Sequence, residues 1–131
     1  MAAAGIEGLL ITTPLAPDKA SLVTNLVHKG ADISVVADHV DIVAAYGAAA
    51  EQAGVVLPVF VDLDVGLGRT GTPSARVAVE LAGLINGHPA LRYAGVQGYM
   101  GHLQHVDDHA QRRERLGHDS RDLQNIVNAL G

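Results

Sequence analysis

Val59-Phe-Val-Asp-Leu-Asp-Val-Gly-Leu-Gly-Arg-Thr-Gly71 joins the pattern of a buried strand directly to a glycine-rich turn. Asp62 and Asp64 alternate with apolar residues, so the sequence predicts that both carboxylates point to one face of a β-strand. Asp64 and Arg69 lie near the end of that strand. Because the carboxyl ends of parallel strands form the functional mouth of a barrel, we take Asp64 and Arg69 as candidate site residues.

The pattern of a strand followed by a turn recurs along the whole chain. Four times, a short apolar run is followed by a turn and a longer amphipathic stretch, which predicts parallel strands joined by right-handed helical crossovers. Two architectures fit this pattern, an open doubly wound sheet and part of an eight-stranded barrel. A full barrel takes about 250 residues. Four units in 131 residues are half of that, so both architectures, each of the α/β class, stay open at this point.

The apolar runs and the residues that punctuate them set the predicted bounds. Asp41 is the predicted cap of the second helix, and Thr72 or Ser74 that of the third. The predicted strands are Ile6–Thr12, Ile33–Ala37, Val55–Val65 and Leu91–Met100. The predicted helices run from Asp18 to about His28, from Ile42 to about Gln52, from the Thr72 or Ser74 cap to about Asn86, and from Asp107 or Asp108 to about Leu130 with a break near Gly117.

Composition narrows the class of protein. Hydrophobic residues make up 48% of the chain and charged residues 18%, which is typical of a globular domain. The net charge of −5 and the lack of a basic block argue against nucleic acid and anionic membranes as partners. The chain has no cysteine and no apolar run of about 18 residues, so we expect no disulfides, no membrane span and a cytoplasmic location.

A second polar segment follows the fourth predicted strand. Gln97 and Tyr99 alternate onto one face of that strand, and Tyr99 offers a flat ring that can lie against another planar ring. Three histidines follow, and two neighbouring aspartates could add oxygen ligands to a metal site. The spacing of these residues matches no specific zinc motif, so surface histidines in a polar loop are the favoured interpretation. The residues concerned are His102, His105, His109, Asp107 and Asp108.

Four further polar residues have simpler explanations. Asp38 and His39 end the second predicted strand, so they could reach the same mouth. Helix capping explains Asp38 or Asp41 equally well. Tyr46 lies within an alanine-rich helix and is predicted to contribute packing.

Gly66, Gly68 and Gly71 also match the G-x-G-x-x-G pattern of dinucleotide-binding turns. That pattern calls for an acidic residue about 20 positions further on, and Glu80 comes too early while Asp107 comes too late. A small nucleotide-binding module that uses the Gly66–Gly71 turn is accordingly only the alternative function.

Taken together, the two motifs resemble those of a known family. Asp64-x-Gly-x-Gly-Arg-x-Gly71, followed by Gly95-Val-Gln-Gly-Tyr-x-Gly-x-x-Gln-His105, is similar to the D-threonine aldolase and D-serine dehydratase group. That group belongs to the alanine racemase-like, fold-type III enzymes that use pyridoxal 5'-phosphate (PLP). The resemblance therefore implies a partial (β/α)8 barrel in which residues 1–131 form one domain. The resemblance implies a carbon–carbon lyase that acts on a small-molecule D-amino acid, with PLP and a divalent metal as cofactors.

The resemblance also implies roles for individual residues. Arg69 matches the arginine that hydrogen-bonds the phenolic oxygen of PLP, and Tyr99 matches the residue packed against the cofactor ring. Gln97 is expected to neighbour the ring or the substrate. Asp64 is expected to orient Arg69 or the turn. All four are therefore predicted to bind the cofactor.

Other parts of the family pattern have no match here. The resemblance implies a lysine that binds PLP covalently at the end of the first barrel strand, before the region that matches Ile6. Lys19 and Lys29 are the only lysines, and both flank the first predicted helix. The family's phosphate-binding segment and metal ligands match the region after Leu130. We therefore predict no catalytic residue and no activity for this chain alone, and we expect its unpaired strand edges to cause self-association. A non-catalytic remnant is the other alternative.

Overall fold

The computed structural model describes residues 6–130, apart from the side chains at positions 119, 122, 129 and 130. Its four strands form one parallel sheet and alternate with four helices. The strands are β1 (Leu9–Ile11), β2 (Ile33–Ala37), β3 (Leu57–Leu63) and β4 (Leu91–Gly98). The helices are α1 (Ala20–His28), α2 (Val40–Ala53), α3 (Ala75–Gly87) and α4 (His109–Leu130), with short 3₁₀ helices at Pro17–Lys19 and Gly101–His105.

The strand order distinguishes between the two predicted architectures. It is β1-β2-β3-β4, so each new strand is added on the same side of the sheet. A doubly wound sheet would reverse direction at a switch point, whereas a barrel continues in one direction. The described residues therefore form four consecutive units of a barrel, as the sequence predicts.

The main core lies between the sheet and its helices. Val35, Val59 and Val61 are fully buried on the face that the helices cover, where α2 and α3 add Tyr46 and Leu81. The opposite face of the sheet, which becomes the interior of a barrel, carries the alternate side chains. These include Val36 and Phe60, which pair in the register of β2 and β3, and Asp62, two residues further along β3.

Several element bounds differ from the predicted ones. β1 is shorter than predicted, since residues 6–8 lie outside it. Its first residue, Leu9, donates to the Asp32 carbonyl oxygen at 3.0 Å. Asp41 is not the cap of α2, because the Nδ1 atom of His39 accepts from the Asp41 amide at 3.2 Å. α4 is continuous through Gly117, so the predicted break is wrong.

Other predicted helix ends are confirmed. The Ser74 hydroxyl accepts from the Val77 amide at 3.3 Å and caps α3. The Asp108 carboxylate accepts from the Gln111 amide at 2.8 Å at the start of α4. Within residues 6–130, none of the helices combines the length and the hydropathy that crossing a bilayer requires.

An irregularity between β3 and β4 aligns their side chains. Val59 pairs with Tyr93 and Phe60 pairs with Gly95, so Ala94 is an extra residue in β4. Such a bulge shifts the register by one position. It places Gln97 directly opposite Asp62 at the carboxyl end of the sheet.

Candidate functional site

The turn after β3 is held by two carboxylates. Asp64 Oδ1 accepts from the amides of Gly66 and Gly68, both at 3.0 Å. Asp38 Oδ2, at the end of β2, accepts from the Gly71 amide at 2.9 Å. Of the two predicted roles of Asp64, the structure shows the one in which it orients the turn.

Gly71 is required by the shape of this turn. Its φ is +102°, and a Cβ atom there would lie 2.4 Å from the Asp64 backbone nitrogen. After the turn, the chain forms backbone hydrogen bonds with the end of β3. The Thr72 amide donates to the Asp62 carbonyl oxygen at 2.9 Å, and the Asp64 amide donates to the Thr72 carbonyl oxygen at 3.0 Å. The result is a fixed turn that carries Arg69 at its tip.

The same hydrogen bonds argue against the nucleotide-binding alternative. A glycine-rich phosphate cradle works through free backbone amides at the start of a helix. Here the amides of Gly66, Gly68 and Gly71 already donate to carboxylates, and a phosphate there would meet two negative charges. The Gly66–Gly71 turn is therefore built to hold Arg69 and is unsuited to phosphate.

Arg69 and Tyr99 converge. The Arg69 guanidinium carbon lies 5.6 Å from the centre of the Tyr99 ring, within the range of a cation–π contact. The Tyr99 hydroxyl accepts from Gln104 Nε2 at 3.2 Å. Gly101 lets the ring lie close to the backbone, because a Cβ atom there would be 2.4 Å from the ring edge.

An open cavity of ≈ 550 Å³ lies beside this pair. Its lining residues come from the carboxyl ends of β1, β3 and β4: Thr12, Thr13, Arg69, Gln97, Gly98 and Tyr99. Three of the four residues predicted to bind a cofactor thus line one cavity, and the fourth, Asp64, fixes the turn beneath Arg69. Their contact with a cofactor stays a prediction.

Gln97 connects three strands at the floor of the cavity. Its Nε2 donates to Asp62 Oδ1 at 2.9 Å and to the Thr12 carbonyl oxygen at 3.0 Å. Asp62 is only 2% exposed. Burial raises the pKa of Asp62, and nearby Asp38 adds to the rise, while hydrogen bonding from Gln97 and Thr70 and the charge of Arg69 partly offset it.

Asp62 is a member of the site that the sequence did not assign. The alternation of Asp62 with Asp64 in the sequence predicts that both carboxylates share one face of the strand. In the structure their partners differ: Asp62 accepts from Gln97 across the sheet, whereas Asp64 accepts from an amide of the turn. The contact between Asp62 and Gln97 depends on the bulge at Ala94, which no strand pattern predicts.

The histidines of the second motif do not form a metal site with the acidic residues around them. Among the described residues, no three histidine, aspartate or glutamate side chains are grouped as a metal ion requires. His102 instead lies against Gly66, where a Cβ atom would be 3.1 Å from its ring. His105 and His109 are exposed.

Neither lysine reaches the cavity. Lys19 pairs with Asp18 at 3.0 Å, and both side chains are exposed. Lys29 follows the end of α1. Both lie outside the set of residues that line the cavity next to Arg69 and Tyr99.

Comparison with known proteins identifies the family. Residues 1–130 match the N-terminal domain of alanine racemase. The chain belongs to the alanine racemase N-terminal domain family. A 3-hydroxy-D-aspartate aldolase from Paracoccus denitrificans (strain Pd 1222) is 33% identical over 127 residues, 96% of this chain and 33% of that protein. A D-threonine aldolase from Arthrobacter sp is 34% identical over 113 residues, 86% of this chain and 30% of that protein.

A solved structure of this family has the same fold. The crystal structure of a D-threonine aldolase from Filomicrobium marinum matches 99% of this chain with a TM-score of 0.94 at 28% sequence identity. The match covers 35% of that chain, so this sequence spans about a third of the length of its relatives. The predicted family and the partial barrel are both confirmed.

Proposed function

We propose that this chain forms the cofactor-ring-binding part of a PLP-dependent enzyme that acts on D-amino acids, in the manner of a D-threonine aldolase. The observation that carries the proposal is the convergence of Arg69 and Tyr99, 5.6 Å apart, beside the ≈ 550 Å³ cavity. The relatives named as D-threonine and 3-hydroxy-D-aspartate aldolases support a carbon–carbon lyase acting on a D-3-hydroxy amino acid.

The residues of the cavity fit the ring of PLP. The ring is flat and carries a phenolic oxygen, so it needs an apolar surface and a strong hydrogen-bond donor. Tyr99 supplies the surface and is held in place by Gln104, and Arg69 supplies the donor from a fixed turn. Gln97 adds an amide at the floor, between β1 and β4. When bound, PLP would withdraw electrons from the substrate.

The same residues do not supply the covalent attachment of PLP. Lys19 is exposed and paired with Asp18, and Lys29 lies beyond α1. We therefore propose that these 131 residues bind the ring reversibly and do not catalyse the reaction without a lysine from elsewhere.

Equilibrium binding of PLP to the chain tests this proposal. We expect reversible binding that weakens by roughly 10- to 100-fold in Arg69→Ala, because a charge-assisted hydrogen bond contributes about 1.5–3 kcal/mol. Tyr99→Ala should weaken binding to a smaller extent. After borohydride treatment, mass spectrometry should find no PLP attached to Lys19 or Lys29.

Arg92→Ala is the matched control. Arg92 is an exposed arginine near the amino end of β4, far along the strand from the mouth, so its removal should leave PLP affinity unchanged. Equal affinities of the wild type and Arg69→Ala, or no PLP binding by the wild type, would contradict the ring-binding role. Stoichiometric labelling of either lysine would contradict the separation of ring binding from attachment.

A further inference from the structure

Two oxygen atoms at the floor of the cavity are buried without a hydrogen-bond partner in the described part of the chain. They are Asp62 Oδ2 and Gln97 Oε1. The other ends of the same two groups already meet, since Gln97 Nε2 donates to Asp62 Oδ1 at 2.9 Å. The two groups are therefore joined by one hydrogen bond, and each has one buried acceptor atom left over.

If Asp62 is ionised, Asp62 Oδ2 and Gln97 Oε1 cannot form a hydrogen bond with each other. A carboxylate has only acceptors, and the amide oxygen of Gln97 is also an acceptor, so the two leftover atoms cannot bond to each other. A proton on Asp62 Oδ2 turns that atom into a donor. The acid and the amide then complement each other, each giving one hydrogen bond and accepting one.

The surroundings of Asp62 contain one charge of each sign. Asp38 faces it from the end of β2 and raises its pKa, while Arg69 faces it from the turn and lowers it. Hydrogen bonding from Thr70 also lowers the pKa, although Asp62 Oδ2 itself has no hydrogen-bond partner among the described residues. β1 contributes the Thr12 carbonyl and β4 the Gln97 amide, both uncharged. Burial outweighs the lowering contacts, and the pKa of Asp62 is raised.

We propose that Asp62 is a neutral carboxylic acid paired with the Gln97 amide, and that it acts as a positioning residue that fixes Gln97 at the floor of the mouth. Gln97 in turn links β4 to the end of β1 through Thr12. Arg69 is the one charged residue among the described residues that line the cavity, and a neutral Asp62 adds no negative charge behind Gln97. The mouth is thereby set to receive a ligand through a negatively charged atom, whatever that ligand is.

The protonation state can be measured in the wild-type chain. A ¹³C NMR titration follows the side-chain carboxyl of Asp62, which is assigned by the loss of its resonance in Asp62→Asn. We expect the carboxyl to titrate above about 3.9, the value of an unperturbed aspartate. Titration at or below that value would overturn the proposal.

The pH dependence of stability gives a second test. Because the folded-state pKa is raised, the stabilisation by protonated Asp62 is complete below the unfolded-state pKa, about 3.9, and is lost as the pH rises through the folded-state pKa. Asn has the shape of the protonated acid and can donate to Gln97 Oε1. Asp62→Asn should therefore match the wild-type midpoint of urea unfolding at acidic pH, exceed it at neutral pH, and lose the contribution of Asp62 to the pH dependence.

Asp62→Ala and Asp107→Asn are the comparison variants. Asp62→Ala removes both hydrogen bonds and should have a lower unfolding midpoint than Asp62→Asn at every pH. Asp107→Asn removes an exposed carboxylate and should keep the wild-type pH dependence. If Asp62→Asn lost as much stability as Asp62→Ala, the pair would be ionic and the proposal would fail. Neither test uses PLP, so a failed PLP-binding experiment leaves this result unaffected.

Discussion

At the scale of single residues, the sequence predicts which side chains reach the mouth better than it predicts their partners. Arg69, Gln97 and Tyr99 follow from their positions at strand ends, and all three line the cavity. The partners depend on the register between strands and on the exact path of a turn. For that reason Asp64 could be placed in the motif while its bond to the Gly66 amide could not.

Tyr46 illustrates the same limit. Its place in an alanine-rich helix predicts packing, and the ring is indeed fully buried. In addition, its hydroxyl donates to the Val36 carbonyl at 3.2 Å and accepts from the Leu15 amide at 3.0 Å. One side chain of α2 thus ties β2 to the loop after β1. Burial raises the pKa of this hydroxyl.

Tyr46→Phe should therefore destabilise the fold without creating a cavity. The change leaves the Leu15 amide and the Val36 carbonyl without this partner, and we expect a loss of about 1–3 kcal/mol in the free energy of unfolding. Urea unfolding with linear extrapolation measures it. Tyr93→Phe is the control, since the described residues show no hydrogen bond to the Tyr93 hydroxyl. Equal effects of the two variants would contradict the bridging role of Tyr46.

At the scale of elements, periodicity predicts the presence and order of strands and helices but not their irregularities. The extra residue at Ala94 is the clearest case, because the apolar run that predicts β4 continues through it. Without the bulge, Val96 would lie opposite Asp62 and Gln97 would be displaced from it. The candidate site therefore depends on a feature that strand patterns do not report.

Gly95→Ala should disturb this alignment. Gly95 has a φ of +125°, a region that L-residues avoid, and an added Cβ atom would lie 3.4 Å from the Phe60 ring. We expect a loss of about 1–3 kcal/mol in unfolding free energy. Gly83→Ala is the matched control, because an added Cβ atom at this exposed helical position has no neighbour within 4 Å and should stabilise by about 0.5–1 kcal/mol. If Gly95→Ala left the free energy of unfolding unchanged, the bulge would not require glycine.

At the scale of the whole molecule, the four βα units predict a parallel sheet but fit both an open sheet and a partial barrel, and the family resemblance favours the barrel. The structure agrees, because each unit adds its strand beside the last. The curvature of the sheet is visible in one contact. The Gln97 side chain on β4 reaches the Thr12 carbonyl after β1, although two strands lie between them. Contacts across the interior between distant strands are set by this curvature, which residue patterns do not encode.

Self-association of the 131-residue chain is the prediction that belongs to this scale. Within the described residues β1 pairs only with β2 and β4 only with β3, so each has one edge of unpaired backbone groups. The helix that follows β1 in the chain, α1, exposes Leu22 and Leu26 by 59% and 43%, one helical turn apart. Unpaired edges and an exposed apolar helix face favour pairing with another chain.

Sedimentation velocity from low to high micromolar concentration should therefore show a mass that rises with concentration. Replacing Leu22 and Leu26 with lysine removes the apolar face and adds charges that repel a second copy, so we expect the double variant to shift toward the monomer. Val79→Lys, which alters an exposed apolar residue on α3 away from the β1 edge, should associate like the wild type. A wild-type chain that stays monomeric throughout and melts cooperatively would mean that the exposed edges are tolerated, because the core between sheet and helices is then sufficient by itself.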